Sequence, residues 1–80
     1  MELHLVSRRY QKKYLISWIT ITTESGSLVI QANHAPLIAS LAEKAECSFL
    51  IDNDTIETLL IQKGIIEVTR NRVMLLIHEE

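Results

Sequence analysis

The sequence contains few of the residues that usually carry catalysis or cross-linking. Its 80 residues include one cysteine, Cys47, which cannot form an internal disulfide and indicates a reducing compartment. The three histidines, His4, His34 and His78, do not have the spacing of a metal-ligand motif. Two glycines are too few for a glycine-rich phosphate loop. We therefore expect no catalytic residues, no metal and no cofactor, and predict that the protein is not an enzyme.

Long apolar runs and a strong excess of one charge are also missing. The uncharged apolar run at residues 14–23 is far shorter than the roughly 20 residues that span a membrane. No apolar segment of a signal peptide follows Met1. Ten acidic against eight basic residues give a net charge of −2, which argues against a dedicated nucleic-acid binder. We expect a cytoplasmic protein that does not insert into a membrane and does not bind nucleic acid.

Apolar and polar residues alternate with a period of two along much of the chain. Leu3 and Leu5 share one face, and the Ile-Ser-Trp-Ile-Thr-Ile segment at residues 16–21 predicts that Ile16 and Ile19 point to opposite faces. Turn-forming residues at 52–54 and 70–72 separate apolar segments, as expected for two hairpins. This pattern predicts a single all-β domain over residues 1–80, a flattened β-sandwich or small barrel.

Pro36 and Gly64 mark two departures from the strand pattern. Proline suits the first position of a helix, and good helix formers follow it. We therefore predict one short helical segment near residues 35–42. Gly64 follows Lys63 in a predicted turn, where a backbone conformation that other residues resist would require glycine. Replacing Gly64 by valine is expected to lower thermal stability.

Three local features are candidates for function, each with an alternative interpretation. Basic and aromatic residues are interleaved at residues 8–14, a pattern that can contact phosphates and stack bases, although a solvated loop guarding a sheet edge is the interpretation we favour. Cys47 is more typical of a small buried hydrophobe than of a nucleophile. The Asn-His-Ala-Pro segment at residues 33–36 is suited to partner contact in a loop, or to capping the helical turn that Pro36 begins.

Four short motifs follow one another along the chain: Thr-Glu-Ser-Gly at residues 23–26, His-Ala-Pro-Leu at 34–37, Gly-Ile-Ile-Glu-Val at 64–68 and Asn-Arg-Val at 71–73. Their order and spacing resemble the N-terminal β-sandwich domain of the epsilon subunit of F-type ATP synthases, over nearly the whole chain. The sequence departs from that family at Gln31 and Ala32, where Leu-Pro is usual, and at Lys63, where the family has the first glycine of Gly-Gly. It resembles a divergent member, and it ends where the family usually continues into a C-terminal helical hairpin.

The resemblance implies a non-catalytic central-stalk component that couples the gamma subunit to the c-ring in proton-driven ATP synthesis. It would be cytoplasmic and associated with the membrane only through the complex. By the same resemblance, the ring-facing surface comprises Ser27, Gln31, Asn33 and His34. The gamma-facing surface is expected on a sheet face with exposed apolar residues, and Trp18 is the candidate there.

Two other functions remain open from the sequence. The departures at Gln31, Ala32 and Lys63 favour a free-standing interaction module with an epsilon-like fold outside the synthase. The basic and aromatic segment at residues 8–14 leaves a small nucleic-acid binder as a third hypothesis. A salt-titrated binding assay would distinguish that hypothesis from the other two.

Overall fold

A computed structural model describes residues 1–78 and shows an all-β chain. The described part contains no helix, and therefore none long and apolar enough to cross a membrane. Its strands are β1 (Glu2–Val6), β2 (Gln11–Thr23), β3 (Gly26–Gln31), β4 (Leu37–Ser40), β5 (Ala45–Ile51), β6 (Thr55–Ile61), β7 (Lys63–Val68) and β8 (Arg72–His78). The predicted all-β class is confirmed.

The strands form one continuous sheet that folds over at β2 into two layers. The first layer has the order β4-β7-β8-β1-β2, and the second contains β3, β2, β5 and β6. Among the strands of residues 1–78, only β1 and β8 pair in parallel, and the other pairings are antiparallel. The long strand β2 belongs to both layers, because residues 11–15 pair with β1 while residues 18–23 pair with β3. The result is the expected β-sandwich.

The core lies between the two layers and is built from the inward-facing residues of each strand. Phe49 is fully buried at its centre, and its ring lies 5.3 Å from the ring of Tyr14, centroid to centroid. The buried apolar residues are Leu3, Leu5, Ile16, Ile19, Ile21, Ile30, Leu41, Ala45, Cys47, Phe49, Ile61, Ile66, Val68, Val73 and Leu75. Every strand except β4 contributes at least one of them, so the core ties both layers together.

A β-bulge in β2 overturns the predicted alternation at residues 16–19. Ile16 lies opposite Ile51 and Ile19 lies opposite Phe49, so three steps along β2 match two steps along β5. The extra residue resets the alternation, and Ile16 and Ile19 are both buried rather than on opposite faces. A bulge also bends its strand and increases its twist. This bend lets β2 pass from one layer to the other.

The predicted helical segment near residues 35–42 is wrong, because Leu37–Ser40 forms strand β4. β4 pairs antiparallel with β7, and Leu41 then donates its N–H to the carbonyl oxygen of Gly64 at 2.9 Å. A single helical turn gains few hydrogen bonds for the residues it fixes, whereas the edge of β7 offers a ready row of backbone partners. Tertiary pairing therefore overrides the local helical preference.

The reason given for Gly64 is also wrong, because this residue lies in strand β7 rather than in a turn. Of the two glycines, only Gly26 has a positive φ, at 129°. A Cβ atom on Gly64 would lie 2.8 Å from the carbonyl oxygen of Leu76 on the neighbouring strand. Gly64 is thus required by the close approach of a backbone and not by its own conformation.

The two predicted hairpins are confirmed. In the turn between β5 and β6, Asp52 and Asn53 have φ values of 50° and 58°, and Asp54 donates its N–H to the carbonyl oxygen of Ile51 at 2.9 Å. Successive positive φ angles match the right-handed twist of a hairpin, and Asp and Asn tolerate them. Between β7 and β8, Thr69 donates its N–H to the carbonyl oxygen of Arg72 at 2.8 Å.

Candidate protein-interaction surfaces

The loop between β3 and β4 is held in one conformation by backbone hydrogen bonds. Asn33 has a φ of 66° and donates its N–H to the carbonyl oxygen of Arg70 at 2.9 Å. His34 donates its N–H to the carbonyl oxygen of Gln31 at 3.2 Å, which closes the turn. The Nδ1 atom of His34 lies 2.7 Å from the carbonyl oxygen of Ala35. Because a carbonyl only accepts, Nδ1 carries the proton and the ring is fixed on the loop.

This loop lies against the turn between β7 and β8, and the two form one end of the sandwich. We call residues 31–34 and 70–72 the loop surface. Arg70 and Arg72 are exposed, and neither forms an ion pair with another described residue. The N–H of Glu2 donates to the carbonyl oxygen of Asn71 at 2.9 Å, which fixes the turn to the first strand. The loop surface is thus a rigid, polar and basic end.

The structure brings together three of the four residues predicted to face the ring. Gln31, Asn33 and His34 belong to the loop surface, whereas Ser27 lies near the opposite end of β3. Ser27 and Gln31 are four steps apart along an extended strand, a distance of about 13 Å. Both side chains are exposed and point to the same outer face, because residues two apart on a strand share a face. The Ser27 hydroxyl lies 3.5 Å from that of Thr22.

Trp18 is half-buried on the outer face of the second layer, directly opposite Gln31. The bulge leaves Ser17 and Trp18 together opposite the single residue Leu50 of β5, and Leu50 lies opposite Ile56 on β6. Ile56 is 60% exposed. We call Trp18, Leu50 and Ile56 the tryptophan row. Gln31 belongs to the loop surface and also faces Trp18, so the two predicted contact surfaces adjoin.

The outer face of the first layer is also apolar, and the sequence reasoning did not identify it. Ile38 is 71% exposed, and Ile65 and Leu76 are 45% and 44% exposed. Ile65 lies opposite Leu76, and Leu76 lies opposite Val6 on β1. Ile65 directly precedes the buried Ile66, and Leu76 directly follows the buried Leu75. Two consecutive apolar residues in a strand put one on each face, and this was the signal available in the sequence.

The described residues offer little for bond-making chemistry. Cys47 is 1% exposed, and burial raises the pKa of its thiol to about 12, so the nucleophilic thiolate does not form at neutral pH. No three His, Cys, Asp or Glu side chains within residues 1–78 are grouped closely enough to hold a metal ion. His4 lies 3.4 Å from the carboxylate of Glu2 on the sheet face.

Two solved structures share this fold. One chain of the Euglena gracilis mitochondrial ATP synthase (OSCP/F1/c-ring, rotational state 1) aligns with a TM-score of 0.85 and 20% identity, over 94% of this chain and 48% of its own length. One chain of the Tetrahymena thermophila mitochondrial ATP synthase central stalk and c-ring aligns with a TM-score of 0.83 and 20% identity. This alignment covers 99% of the present chain and 63% of the Tetrahymena chain. The chain therefore spans about half to five-eighths of these chains.

Comparisons of sequence give one match and one negative result. No curated protein sequence matches the chain significantly. The family model of the ATP synthase delta/epsilon chain β-sandwich domain matches residues 5–79. This match begins within β1 and covers all of β2 to β8, together with the loop surface and the tryptophan row. The chain therefore belongs to the family of ATP synthase delta/epsilon chain β-sandwich domains.

Proposed function

We propose that this chain is a non-catalytic central-stalk component of a rotary F-type ATP synthase, which couples the gamma subunit to the c-ring during ATP synthesis. Residues 1–80 act as one epsilon-like domain. The observation that carries the proposal is the family match over residues 5–79, and the shared fold supports it. The domain is on the cytoplasmic side and is associated with the membrane through the complex alone.

The architecture has the mechanical properties that this role requires. A coupling subunit makes and breaks no covalent bonds, but it must transmit force between two partners without deforming. Two layers packed over a continuous apolar core form a stiff body, because protein interiors are close-packed and have low compressibility. Apolar side chains on the outer face of the second layer, such as Ile56, supply area for stable partner contact.

The ring-facing contact is assigned to Gln31, Asn33 and His34 of the loop surface, with Ser27 further along β3. Hydrogen bonds to Gln31, Arg70 and Ala35 fix the backbone and ring geometry of this loop. A fixed polar loop loses little conformational entropy on binding, so more of its contact energy stabilises the complex. Its polar side chains also suit a partner surface made of loops.

The gamma-facing contact is assigned to Trp18 and the rest of the tryptophan row. A half-buried tryptophan beside an exposed isoleucine is typical of an interface anchor. Because Gln31 faces Trp18, the gamma and ring contacts adjoin at the end of β3. A rigid path of one strand pair, β2 and β3, then connects the two partners.

Size-exclusion chromatography of the chain mixed with the gamma subunit of the same organism tests the proposal. We expect one co-eluting stoichiometric complex. Trp18→Ala should weaken it strongly, because interface anchors cost about 2 kcal/mol or more on truncation. Ile38→Ala, on the outer face of the other layer, is the matched control. Loss with Ile38→Ala but not with Trp18→Ala would move the gamma contact to the first layer.

Separate elution of two folded proteins would contradict the stalk role. It would support the alternative, a free-standing interaction module with the same fold. Gln31 and Ala32 favour this alternative, because they replace the Leu-Pro that resembling sequences have at the edge of the loop surface. For the ring contact, His34→Ala should reduce capture of the chain by detergent-solubilised c-ring, whereas Lys44→Ala in a distant turn should not.

A further inference from the structure

Half of the basic residues of the chain lie on the hairpin that joins β1 to β2. Arg8, Arg9, Lys12 and Lys13 are all exposed, within a chain that has eight basic residues and a net charge of −2. None of the four forms an ion pair with a described residue. The Lys12 ammonium lies 5.3 Å from the centre of the Tyr10 ring. We call these four residues the basic hairpin, and it is a concentrated patch of uncompensated positive charge.

A groove of about 720 Å³ opens beside this hairpin, across the ends of β4, β7, β8 and β1. Its apolar floor includes Ile65 and Leu76, which are nearly half exposed, and the buried Leu41. Gly64 also lines the groove. The volume lies within the range of about 300–1,000 Å³ that is usual for binding clefts.

The charge along the rim of the groove changes sign from one end to the other. Arg8 lines the β1 end, beside the rest of the basic hairpin. Lys63 and His78, which face each other across β7 and β8, lie between. Glu24 and Glu43 line the groove from the turns beside the end of β4. A bound segment with charges of both signs would therefore bind in one orientation.

We propose that the groove and the basic hairpin together bind a segment of a partner protein that carries apolar side chains and one acidic end. The apolar side chains enter the groove over Ile65 and Leu76, and the acidic end lies toward Arg8 and the basic hairpin. This surface is at the end of the sandwich opposite the loop surface, and the inference does not depend on the function proposed above.

A protein segment explains both features of the site better than the other anionic partners. A nucleic acid would gain from the basic hairpin, but it would leave the apolar floor uncovered and would meet Glu24 and Glu43. A flat lipid headgroup surface does not match the concave shape of the groove. A segment with leucine-like side chains and an acidic end satisfies the apolar floor and the charge gradient together.

The test uses the full chain and a fluorescent synthetic peptide with an acidic first half and a leucine-rich second half. The control peptide carries lysine in place of each acidic residue. Binding is followed by fluorescence anisotropy at low ionic strength and mapped by the backbone amide shifts of the chain in NMR spectra. We expect the acidic peptide to bind and to shift the backbone amide resonances of Gly64, Ile65 and Leu76. Its affinity should fall as salt is added.

Two charge variants separate the site from general electrostatic attraction. Arg8→Glu combined with Arg9→Glu should lower the affinity for the acidic peptide by about tenfold or more, because two attractive contacts become repulsive. Arg70→Glu with Arg72→Glu changes the net charge equally at the opposite end and should alter binding by less than about twofold. Leu76→Asn, which makes the floor polar without touching a charge, should also weaken binding.

The inference is overturned if the acidic peptide does not bind, or if the lysine peptide binds equally well. Equal losses with the two charge variants would also overturn it. Binding of phosphatidylserine vesicles or of a single-stranded oligonucleotide that requires Arg8 and Arg9, without peptide binding, would assign the basic hairpin to a membrane or to nucleic acid instead.

Discussion

Replacing Gly64 by alanine tests whether a backbone contact, rather than a turn, requires glycine at this position. The new Cβ atom would lie 2.8 Å from the carbonyl oxygen of Leu76, inside van der Waals contact. It would also lie 3.1 Å from a Leu41 methyl and 3.3 Å from an Ile61 methyl. Methyl groups can shift by a few tenths of an ångström, but the carbonyl belongs to a strand that is hydrogen-bonded on both sides. The clash must therefore separate β7 from β8.

The expected cost follows from what is known of overpacked sites. Inserting a methyl group into a well-packed site costs about 1–3 kcal/mol. For a domain of this size, each kcal/mol lowers the melting temperature by about 4–8 °C. Gly64→Ala should therefore lower the melting temperature by about 4–24 °C. Gly64→Val should cost more, because it adds two further methyl groups at the same contact.

Thermal unfolding followed by circular dichroism measures this effect. Ser40→Ala is the matched control, because Ser40 is exposed on the neighbouring edge strand and its substitution should change stability by less than about 0.5 kcal/mol. Combining Gly64→Ala with Leu41→Val should restore little of the lost stability, because the contact with the Leu76 carbonyl oxygen remains. An unchanged melting temperature for Gly64→Ala, or full rescue by Leu41→Val, would refute the backbone-contact explanation.

Three further predictions concern single residues. Cys47 should resist alkylation at pH 8 in the folded protein and react after denaturation in urea, because its thiol is buried and protonated. The pKa of this thiol rises from 9.0 to about 12 on folding, so between these values the folded state retains a proton that the unfolded state releases. Between pH 9 and 12 the free energy of unfolding should therefore fall by up to about 1.4 kcal/mol per pH unit. Cys47→Ala should flatten this slope when the free energy of unfolding is measured by urea titration at several pH values. Asn33→Gly should preserve the melting temperature, whereas Asn33→Val should lower stability by about 1–2 kcal/mol, because the φ of 66° suits glycine and strains a β-branched residue.

The parts of the fold that depend on local pattern could be predicted from the sequence. The hairpin at residues 52–54 is specified by Asp and Asn, whose side chains tolerate the left-handed backbone that the turn needs. Strand β5, which precedes this turn, alternates in burial as its sequence alternates, with Cys47 and Phe49 inside. Such features depend on neighbours in the chain, so a single sequence contains them.

The features that sequence reasoning missed depend on distant parts of the chain. β4 is a strand because the edge of β7 lies beside it, and nothing at residues 37–40 records that pairing. The bulge after Ile16 depends on the register with β5, about 30 residues later. Likewise, Gly64 is required by the carbonyl of Leu76, which only the folded sheet brings close.

Of the candidate site, sequence reasoning could identify the residues that form a local motif, but not the contacts that depend on strand register. Asn33 and His34 were identified from a local motif, and the structure fixes both in one rigid loop. The relation of Gln31 to Trp18 required the register between β2 and β3, so the contiguity of the two surfaces was not visible. The groove joins four strands and three turns, and no sequence window contains it.

The exposed apolar residues connect the architecture to a role between partners. A small sandwich has one interior, and further apolar residues in its strands must face outward. Single exposed residues of this kind are normal on soluble proteins, but here they adjoin in register, Ile65 with Leu76 on one layer and Leu50 with Ile56 on the other. Each face loses its hydration water only when a partner covers it, so the two layers offer separate apolar surfaces for protein contact.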